Sequence, residues 1–339
     1  MKTAIIILNW NGRKLMEKYL PSVLAHSCLP DTQVVVADNG STDDSIDWLK
    51  ANFSQCRLLC FDKNYGFAEG YNRAIAAVEA EYVLLLNDDV RVPEHWLEPL
   101  VSYMDAHPEV AACQPKILSE REPGRFEHAG AAGGFIDRLG YPFCRGRIQS
   151  LVEQDHGQYD SVADIFWATG ACLLIRRQEY LQAGGLDAAF FAHMEEIDLC
   201  WRLRSRGRRI VCLPQSQVWH WGGGTLSAEN PRKTFLNFRN NLLMLYKNLP
   251  DKRLRCTMAQ RTLLDWVAAL FFFLKGERKN AKAVLDARKA YRQLKHNYGD
   301  IRRQVQAAAT TERIPEIYPG ISIVDYFLKG RKTFSQLHF

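Results

Sequence analysis

The sequence predicts an α/β fold with a mostly parallel central sheet, flanking helices on both faces, and a helical extension at the C-terminal end. Two observations lead to this prediction. In the first half of the chain, short apolar segments alternate with segments whose apolar residues recur at helical spacing. Polar clusters follow several of the apolar segments, as expected where parallel strands end at one edge of a sheet. With 339 residues, 47% of them hydrophobic, the chain is long enough to bury such a core.

The predicted elements follow one another closely. Strands are predicted at residues 3–8, 33–38, 57–61 and 82–86, and helices at residues 13–25, 45–52 and 68–78. A strand at 171–175, a helix at 197–206 and short strands at 209–213 and 217–220 follow. Strand–helix–strand repetition at this spacing indicates a parallel sheet covered on both faces. Residues 119–160 are rich in Gly, Arg and Pro and lack periodicity, so we expect an irregular insertion beside the functional site.

The character of the chain changes near residue 225, which divides it into predicted domains at 1–225 and 226–339. Residues 235–249 form a predicted amphipathic helix, 263–274 an apolar segment and 275–298 a basic helix. The apolar segment falls short of the roughly 20 residues that span a bilayer. An apolar hairpin followed by a basic amphipathic helix is typical of a monotopic membrane contact. A helical cap packed on the sheet is the alternative, and both remain open.

Charge and cysteine content narrow the class of protein. Residues 1–225 hold 22 Lys and Arg against 29 Asp and Glu, whereas residues 226–339 hold 22 against 9. A basic region on an acidic body suggests contact with an anionic surface. It carries no nucleic-acid-binding signature, so nucleic acid is not an expected partner. Nine scattered cysteines without a Cys-x-x-Cys pair favour a reducing cytosol. The N-terminal segment lacks the long apolar core of a signal peptide, and we expect a cytoplasmic protein.

Polar clusters end three of the predicted strands. They are Asn9-Trp10-Asn11-Gly12, Asp38-Asn39-Gly40-Ser41 and Asn87-Asp88-Asp89. Because ligands of such sheets bind beyond the carboxyl ends of the strands, the clusters predict one shared site. Asp88 and Asp89 could hold Mg²⁺ or Mn²⁺ together with substrate phosphates, although a helix cap before Pro93 would explain the same residues.

The second cluster and the segment after the third strand suggest nucleotide binding. Asp38 can accept hydrogen bonds from a base or a ribose, with a plain capped turn as the alternative. Gly66 and Gly70 lie where a helix begins, which indicates close approach of the backbone to a ligand. Asn72 and Arg73 would then face the nucleotide or its phosphates, or else lie on the surface.

Two later motifs carry acid–base and metal chemistry. Glu195, Glu196 and Asp198 crowd the start of a helix, where they either cap it or supply a general base. Neighbouring carboxylates raise one another's pKa toward a useful value. His220 precedes a run of glycines and is either a metal ligand or a structural residue.

Taken in order, these segments resemble the family 2 glycosyltransferases, and in particular their rhamnosyltransferase-like branch. The resemblance covers about residues 3–225. It is carried by Asn9-Trp10-Asn11-Gly12, Asp38-Asn39-Gly40-Ser41-Thr42-Asp43, Asn64-Tyr65-Gly66-Phe67, Asn87-Asp88-Asp89, Thr169-Gly170-Ala171, Gly184-Gly185-Leu186-Asp187, Glu195-Glu196-Ile197-Asp198 and His220.

The resemblance implies a glycosyltransferase A-type fold and inversion at the anomeric carbon in one displacement. It implies that Asp38 contacts the base, that Asp89 and His220 hold the metal, and that Glu196 is the general base. Asn87 stands where many members carry Asp, so the metal would be held mainly by Asp89, His220 and the phosphates. Glu196 replaces the usual Asp, which leaves the base open among Glu195, Glu196 and Asp198. The C-terminal part resembles that of membrane-associated members that build on lipid-linked acceptors.

We therefore expect transfer of a hexose or deoxyhexose, with rhamnose a candidate, from a nucleoside-diphosphate sugar. The acceptor would be a glycan or a polyprenyl-linked glycan in cell-surface polysaccharide synthesis, reached at the inner face of the plasma membrane by peripheral binding. The expected nucleotide-binding residues are Asn9, Asn11, Asp38, Asn39, Asn64, Gly66, Asn72, Asn87 and Asp88. Trp167, Thr169 and Gly170 are expected at the acceptor. A sugar nucleotidyltransferase and a non-catalytic binding module are the alternatives.

Overall fold

A computed structural model describes residues 1–222 and 230–339. The strands are β1 (Thr3–Asn9), β2 (Thr32–Asp38), β3 (Arg57–Cys60), β4 (Tyr82–Leu86), β5 (Val90–Arg91), β6 (Val110–Ser119), β7 (Gly134–Asp137), β8 (Pro142–Cys144), β9 (Arg147–Ile148), β10 (Leu151–Val152), β11 (Ala163–Asp164), β12 (Cys172–Arg176), β13 (Arg209–His220) and β14 (Ile317–Tyr318). The helices are α1 (Arg13–His26), α2 (Ser45–Asn52), α3 (Gly66–Ala76), α4 (Glu98–Ala106), α5 (Arg177–Gln182), α6 (Glu195–Ser205), α7 (Pro231–Asn248), α8 (Asp251–Leu274), α9 (Arg278–Leu294), α10 (Gly299–Ala308) and α11 (Ser322–Phe327).

The main sheet has the order β11-β13-β6-β12-β4-β1-β2-β3, and β5 pairs with β13. Strands β3, β2, β1 and β4 run parallel, and β6 runs parallel to β13. Strand β12 lies antiparallel between β4 and β6. The parallel half confirms the predicted sheet, and its buried apolar strands are typical of a sheet covered on both sides.

Alternation along the strands divides the core into two layers. In β1, Ala4 and Ile6 pack in the layer that includes α3 and α6, whereas Ile5 and Ile7 pack in the layer that includes α1 and α4. The first layer continues into α7, so the C-terminal helices share the core of the sheet. The predicted division at residue 225 falls within residues 223–229, outside the described part of the chain.

The expectation of an irregular insertion at residues 119–160 is wrong. This segment contributes β7, β8, β9 and β10 to a second sheet of order β10-β9-β8-β7-β14. These strands are only two to four residues long, too short to show a periodicity in the sequence. The fifth strand, β14, comes from the C-terminal region and pairs in parallel with β7.

Two further boundaries differ from the predictions. Residues 209–220 form the single strand β13, whose register against β6 shifts between Leu213 and Gln217, so the predicted break is a bulge. The predicted apolar segment 263–274 is the second half of the 24-residue helix α8. Within the described ranges, every helix is too short or too polar to cross a membrane.

Candidate active site

Asn9 and Asp38 end two adjacent parallel strands and lie opposite each other in the sheet. Nδ2 of Asn9 donates to Oδ2 of Asp38 at 2.8 Å and to Oγ of Ser41 at 3.1 Å. Oδ1 of Asn9 accepts from the backbone N–H of Gly12 at 3.0 Å. Both side chains are buried. Asn9 therefore ties the two strand ends together, and Asp38 keeps unused acceptor capacity, since a carboxylate offers about four lone-pair sites.

Asn11 connects the loops that follow β1 and β2. Its backbone has φ +53, in the left-handed region that Asn tolerates. Its Oδ1 accepts from the backbone N–H of Thr42 at 2.7 Å, and its own N–H donates to Oγ of Ser41 at 2.9 Å. The side chain lies at the exposed rim of the predicted nucleotide site.

Asn39 extends this network to the start of α3. Its Nδ2 donates to Oδ1 of Asn64 at 3.1 Å and to the carbonyl of Gly66 at 3.0 Å, while its Oδ1 accepts from N–H of Tyr65. Gly66 has φ +78, and a Cβ there would lie 2.6 Å from the ring of Phe191. The glycine is thus required for close packing against the segment that precedes α6 as well as for the turn.

Asn72, predicted at the nucleotide, makes structural contacts instead. Its Oδ1 accepts from the hydroxyl of Tyr180 at 2.6 Å and from N–H of Leu186 at 2.9 Å, and its Nδ2 donates to the Leu186 carbonyl at 2.8 Å. These bonds occupy both ends of the amide and fasten α3 to the turn before residue 187. The prediction that Asn72 binds the nucleotide is therefore replaced by a structural role for this residue.

Asp89 and His220 meet because β5, directly after Asp89, pairs with the end of β13. Oδ1 of Asp89 lies 3.0 Å from Nε2 of His220, and Oδ2 accepts from N–H of Gly222 at 3.1 Å. Nδ2 of Asn87 lies 3.3 Å from the same Nε2. The rest of the predicted glycine run, residues 223 and 224, lies outside the described residues.

Glu127 is a site residue that the sequence analysis missed. Its Oε2 lies 3.5 Å from Nδ1 of His220, and its side chain is buried. Burial alone would lower the pKa of His220, but attraction to Asp89 and Glu127 outweighs burial and raises it to about 10. A carboxylate at the second ring nitrogen is the usual means of orienting a metal-binding histidine. Glu127 lies in the segment expected to be irregular, so its sequence context carried no signal.

The residues present fit a divalent cation that shares its coordination with phosphates. In the described part of the chain, no three His, Cys, Asp or Glu side chains form a complete metal site. Oδ1 of Asp89 is buried without an aligned hydrogen bond from the residues described. Asp89 offers one oxygen, and His220 would offer Nε2 once a bound cation displaces its proton, because a histidine must lose that proton to ligate a metal. Mg²⁺ often takes few protein ligands together with substrate phosphates.

Asp88 lies beside this pair and close to the loop after β1. Burial and the charge of Asp89 raise the pKa of Asp88 to about 7. A Cβ on Gly12 would come within 2.4 Å of Oδ2 of Asp88. Residue 12 must therefore be glycine for the Asp88 carboxylate to occupy its position.

Glu195 and Glu196 begin α6 after a strained turn. Phe191, His193 and Met194 all have positive φ angles, between +64 and +75. Such strain persists only where the surroundings impose it. Oε2 of Glu195 and Oε2 of Glu196 are both buried and accept no hydrogen bond from residues 1–222 or 230–339.

Contacts from two sides impose this turn. Nδ2 of Asn240, in α7, donates to the carbonyls of Phe190, Ala192 and His193 at 2.8–2.9 Å. From the other side, N–H of Phe67 donates to the carbonyl of Phe191 at 2.9 Å. The start of α6 is thereby held against the start of α3, next to the network of Asn39.

Glu195 and Glu196 differ in the exposure of their side chains and in their pKa. Burial and the charge of Glu196 raise the pKa of Glu195 well above its ordinary value, and the side chain is only 3% exposed. Glu196 is less enclosed, and burial raises its pKa to about 7. With a pKa of about 7, Glu196 can accept a proton near neutral pH.

Asp198 does not suit the role of general base. It is fully buried and lies 2.7 Å from Nζ of Lys247 and 2.9 Å from the guanidinium of Arg202, and Asn248 donates to it at 2.8 Å. Burial would raise the pKa of Asp198, but Lys247 and Arg202 outweigh it and lower the pKa below its ordinary value. Asp198 therefore anchors α6 to α7, and it is no longer a candidate for the general base.

The residues predicted at the acceptor are also buried. Nε1 of Trp167 donates to the carbonyl of Phe135 at 3.0 Å, inside the core. N–H of Thr169 donates to Oε1 of Gln114 at 3.0 Å, and a Cβ on Gly170 would meet the Phe67 ring at 2.8 Å. All three positions support the wall of the site from behind, so direct contact with an acceptor is not supported.

Comparison with known proteins agrees with this geometry. The family model described as glycosyl transferase family 2 matches residues 4–178. O-antigen biosynthesis protein RfbC of Myxococcus xanthus is 29% identical over 231 residues, which cover 67% of this chain and 18% of RfbC. N-acetylglucosaminyl-diphospho-decaprenol L-rhamnosyltransferase of Mycobacterium tuberculosis is 27% identical over 234 residues, which cover 64% of this chain and 75% of that protein. This chain thus corresponds to less than a fifth of RfbC.

A solved structure supports the fold. The crystal structure of GalNAc-T7 with UDP, GalNAc and Mn²⁺ superposes with a TM-score of 0.55 at 13% identity, covering 73% of this chain and 48% of that chain. This likeness, together with the sheet order described above, confirms the predicted glycosyltransferase A-type fold. Because the family model matches more than half of its residues, the chain belongs to glycosyl transferase family 2.

Proposed function

We propose that this protein transfers a hexose or deoxyhexose from a nucleoside-diphosphate sugar to a hydroxyl of a glycan or polyprenyl-linked acceptor. The reaction inverts the anomeric carbon and serves cell-surface polysaccharide synthesis. One observation carries the proposal. The Asp89–His220 pair and Glu196, whose Oε2 accepts no hydrogen bond from the residues described, belong to one connected framework at the carboxyl edge of the sheet. Family membership and the rhamnosyltransferase among the relatives support the same reaction class.

The loops after β1 and β2 would bind the nucleoside. Asp38 has acceptor capacity left for a base N–H or a ribose hydroxyl, while Asn9 and Asn39 use their amides to hold the loops in place. Asn11 and Asn64 then shape the rim of this pocket. In this proposal, pre-formed hydrogen bonds keep the donor site open before the nucleotide arrives.

Asp89 and His220 would hold a Mg²⁺ or Mn²⁺ ion against the diphosphate, with Asn87 and Asp88 beside them. A bound cation neutralises the charge that develops on the diphosphate leaving group. Glu127 would keep Nε2 of His220 directed at the ion. The GalNAc-T7 structure contains Mn²⁺ with UDP, which supports metal use in proteins of this fold.

Glu196 would remove the proton from the acceptor hydroxyl as that oxygen attacks the anomeric carbon. Its pKa near 7 is matched to neutral conditions, and it is the less enclosed of the two glutamates. Glu195, which is buried and whose pKa burial raises, would support Glu196 from behind rather than accept the proton. Asn240 and the Asp198–Lys247 pair would position α6 so that Glu196 faces the donor sugar.

We further propose that the acceptor is reached at the cytoplasmic face of a membrane. The M. tuberculosis relative is named for a decaprenol-linked acceptor, and the C-terminal region of this chain is basic. All nine cysteines lie in the described part of the chain as free thiols, which agrees with a reducing compartment. Peripheral binding would bring a lipid-linked glycan to Glu196.

The test is release of nucleoside diphosphate from a panel of nucleotide sugars, with Mn²⁺, with and without a polyprenyl-diphosphate-linked sugar. Acceptor-dependent release of one nucleoside diphosphate, lost on Glu196→Gln and kept on Glu312→Gln at an exposed ion pair, is the expected result. Binding of nucleotide sugars without any turnover would instead identify a non-catalytic module. Release of inorganic diphosphate from a nucleoside triphosphate and a sugar phosphate would identify a nucleotidyltransferase.

A further inference from the structure

The C-terminal half of α8 is polar on its buried side and apolar on its outer side. Its buried side carries Arg261 and Asp265, which lie 3.4 Å apart, and Asp265 also pairs with Arg288 of α9 at 2.5 Å. Arg261 donates to the carbonyl of Leu139 at 3.0 Å as well. The charged side chains of this hairpin are thus paired on its buried side, whereas a helix whose outer side faces water carries its charges on that outer side.

The outer side is a continuous apolar strip. We define the outer face of α8 as Leu263, Trp266, Val267, Leu270, Phe271, Phe273 and Leu274, each of them 50–75% exposed. Positions 263, 266, 267, 270 and 274 repeat at helical spacing, so their side chains project from one side of the helix. Asp265 is the only charged residue between 262 and 274, and it is buried. Contiguous exposed apolar surface of this kind marks an interaction site.

Cations border one end of this strip. We define the basic rim as the exposed residues Lys275, Arg278, Lys279, Lys282 and Lys289, at the turn after α8 and along α9. Nζ of Lys275 lies 4.5 Å from the ring of Phe271, and the guanidinium of Arg278 lies 5.8 Å from the ring of Phe273. Apolar and cationic groups therefore form one composite surface.

We propose that the outer face of α8 inserts into the headgroup and acyl boundary of an anionic lipid bilayer, while the basic rim contacts the lipid phosphates. The apolar stretch of twelve residues is roughly 18 Å long, too short for the roughly 30 Å of hydrocarbon, so the helix lies in the plane of the interface. Aromatic and aliphatic side chains beside lysines are the composition that such interfacial helices share.

Charge complementarity favours an anionic lipid bilayer over a second copy of the chain as the partner of this surface. In a two-fold symmetric contact the patch meets only itself, and it offers no anionic surface that would neutralise the basic rim. An anionic membrane surface neutralises the same cations and attracts them over about a Debye length. This inference deepens the proposed function, because it names the surface that would bring the enzyme to a lipid-linked acceptor.

The test uses the full chain in flotation with vesicles of phosphatidylcholine alone and vesicles in which roughly a third of the lipid is phosphatidylglycerol. Wild-type protein is expected to float with the anionic vesicles only, and less so as salt is raised. Trp266→Gln combined with Leu270→Gln, and separately Lys279→Glu combined with Lys282→Glu, should each reduce the bound fraction about tenfold. Leu181→Gln and Lys50→Glu, at exposed positions on other helices, should float like wild type.

The result of the flotation experiment does not depend on whether the protein catalyses transfer. Both double variants should release nucleoside diphosphate with a water-soluble acceptor at the wild-type rate, which separates failure of this inference from failure of the proposed function. Equal flotation of the wild type and both double variants would overturn the proposal that this surface binds a membrane. Absence of wild-type flotation would do the same, as would a dimer, measured by light scattering, that the Trp266 and Leu270 substitutions convert to a monomer.

Discussion

Oδ1 of Asp89 lies 3.0 Å from Nε2 of His220, although one residue follows β4 and the other ends β13. The pairing of β5 with β13 creates this contact. It brings together a buried carboxylate and an imidazole, the pair that we propose holds a cation against a diphosphate.

Asp89→Ala should abolish detectable binding of Mn²⁺ in the presence of a nucleoside diphosphate. The variant removes the carboxylate that hard cations prefer, so we expect affinity to fall roughly 100-fold or more. Calorimetry or electron paramagnetic resonance of Mn²⁺ gives the measurement. Asp300→Ala, at an exposed position in α10, is the control. Unchanged Mn²⁺ affinity in Asp89→Ala would refute the metal assignment.

Glu196→Gln should lower the rate of transfer by about 10²–10⁴-fold while the donor binds as in the wild type, since only proton removal is lost. Steady-state transfer and calorimetric donor binding measure the two effects. Glu195→Gln is a matched control, because it makes the same change at the neighbouring, more deeply buried glutamate. If Glu195→Gln loses transfer and Glu196→Gln keeps it, the base is Glu195.

The rate of transfer should rise with pH through about 7 and level off above it. Burial raises the pKa of Glu196 to about 7, so the proton-accepting form is lost as the pH falls below that value. Below this pKa, kcat/KM should fall about tenfold per pH unit. The measurement is a profile of kcat/KM against pH. A profile that is flat between pH 5 and 8, roughly the range around this pKa, would contradict Glu196 as the titrating base.

Asn240→Ala should destabilise the turn before α6. The substitution leaves the carbonyls of Phe190, Ala192 and His193 without their shared donor, which we expect to lower the free energy of unfolding by about 1–3 kcal/mol. Denaturant unfolding measures the change. Asn237→Ala, at a half-buried position of the same helix, is the control and should change stability by less.

Asp198→Asn should be a stability variant more than a catalytic one. It leaves Lys247 and Arg202 buried without their shared counter-charge, which we expect to cost about 3–5 kcal/mol. Urea unfolding gives the measurement. Asp286→Asn breaks an exposed pair with Lys282 and should cost less than about 1 kcal/mol. A folded Asp198→Asn variant of wild-type stability that loses all transfer would restore Asp198 as a candidate base.

The local pattern of apolar residues in the sequence was sufficient to predict much of the fold. The apolar β-branched runs predicted β1, β2 and β4 nearly to the residue, because a strand buried on both faces has an unambiguous composition. The second sheet escaped prediction since its strands are short and one of them, β14, comes from the far end of the chain. No local window contains that pairing.

The candidate site, like the fold, was predicted from the sequence only in part. The amino-acid sequence by itself determined the family, the sheet, and the polar clusters at the strand ends, because strand composition and the order of short motifs are local properties. Only the tertiary structure decided what each polar side chain does. Asn72, Asp198 and Trp167 are occupied by partners distant in the chain. Glu127 reaches His220 from the loop between β6 and β7, and Oε2 of Glu196 accepts no hydrogen bond from the residues described. A side chain's function depends on whether folding leaves its polar atoms unpaired, and residues far apart in the sequence supply the partners.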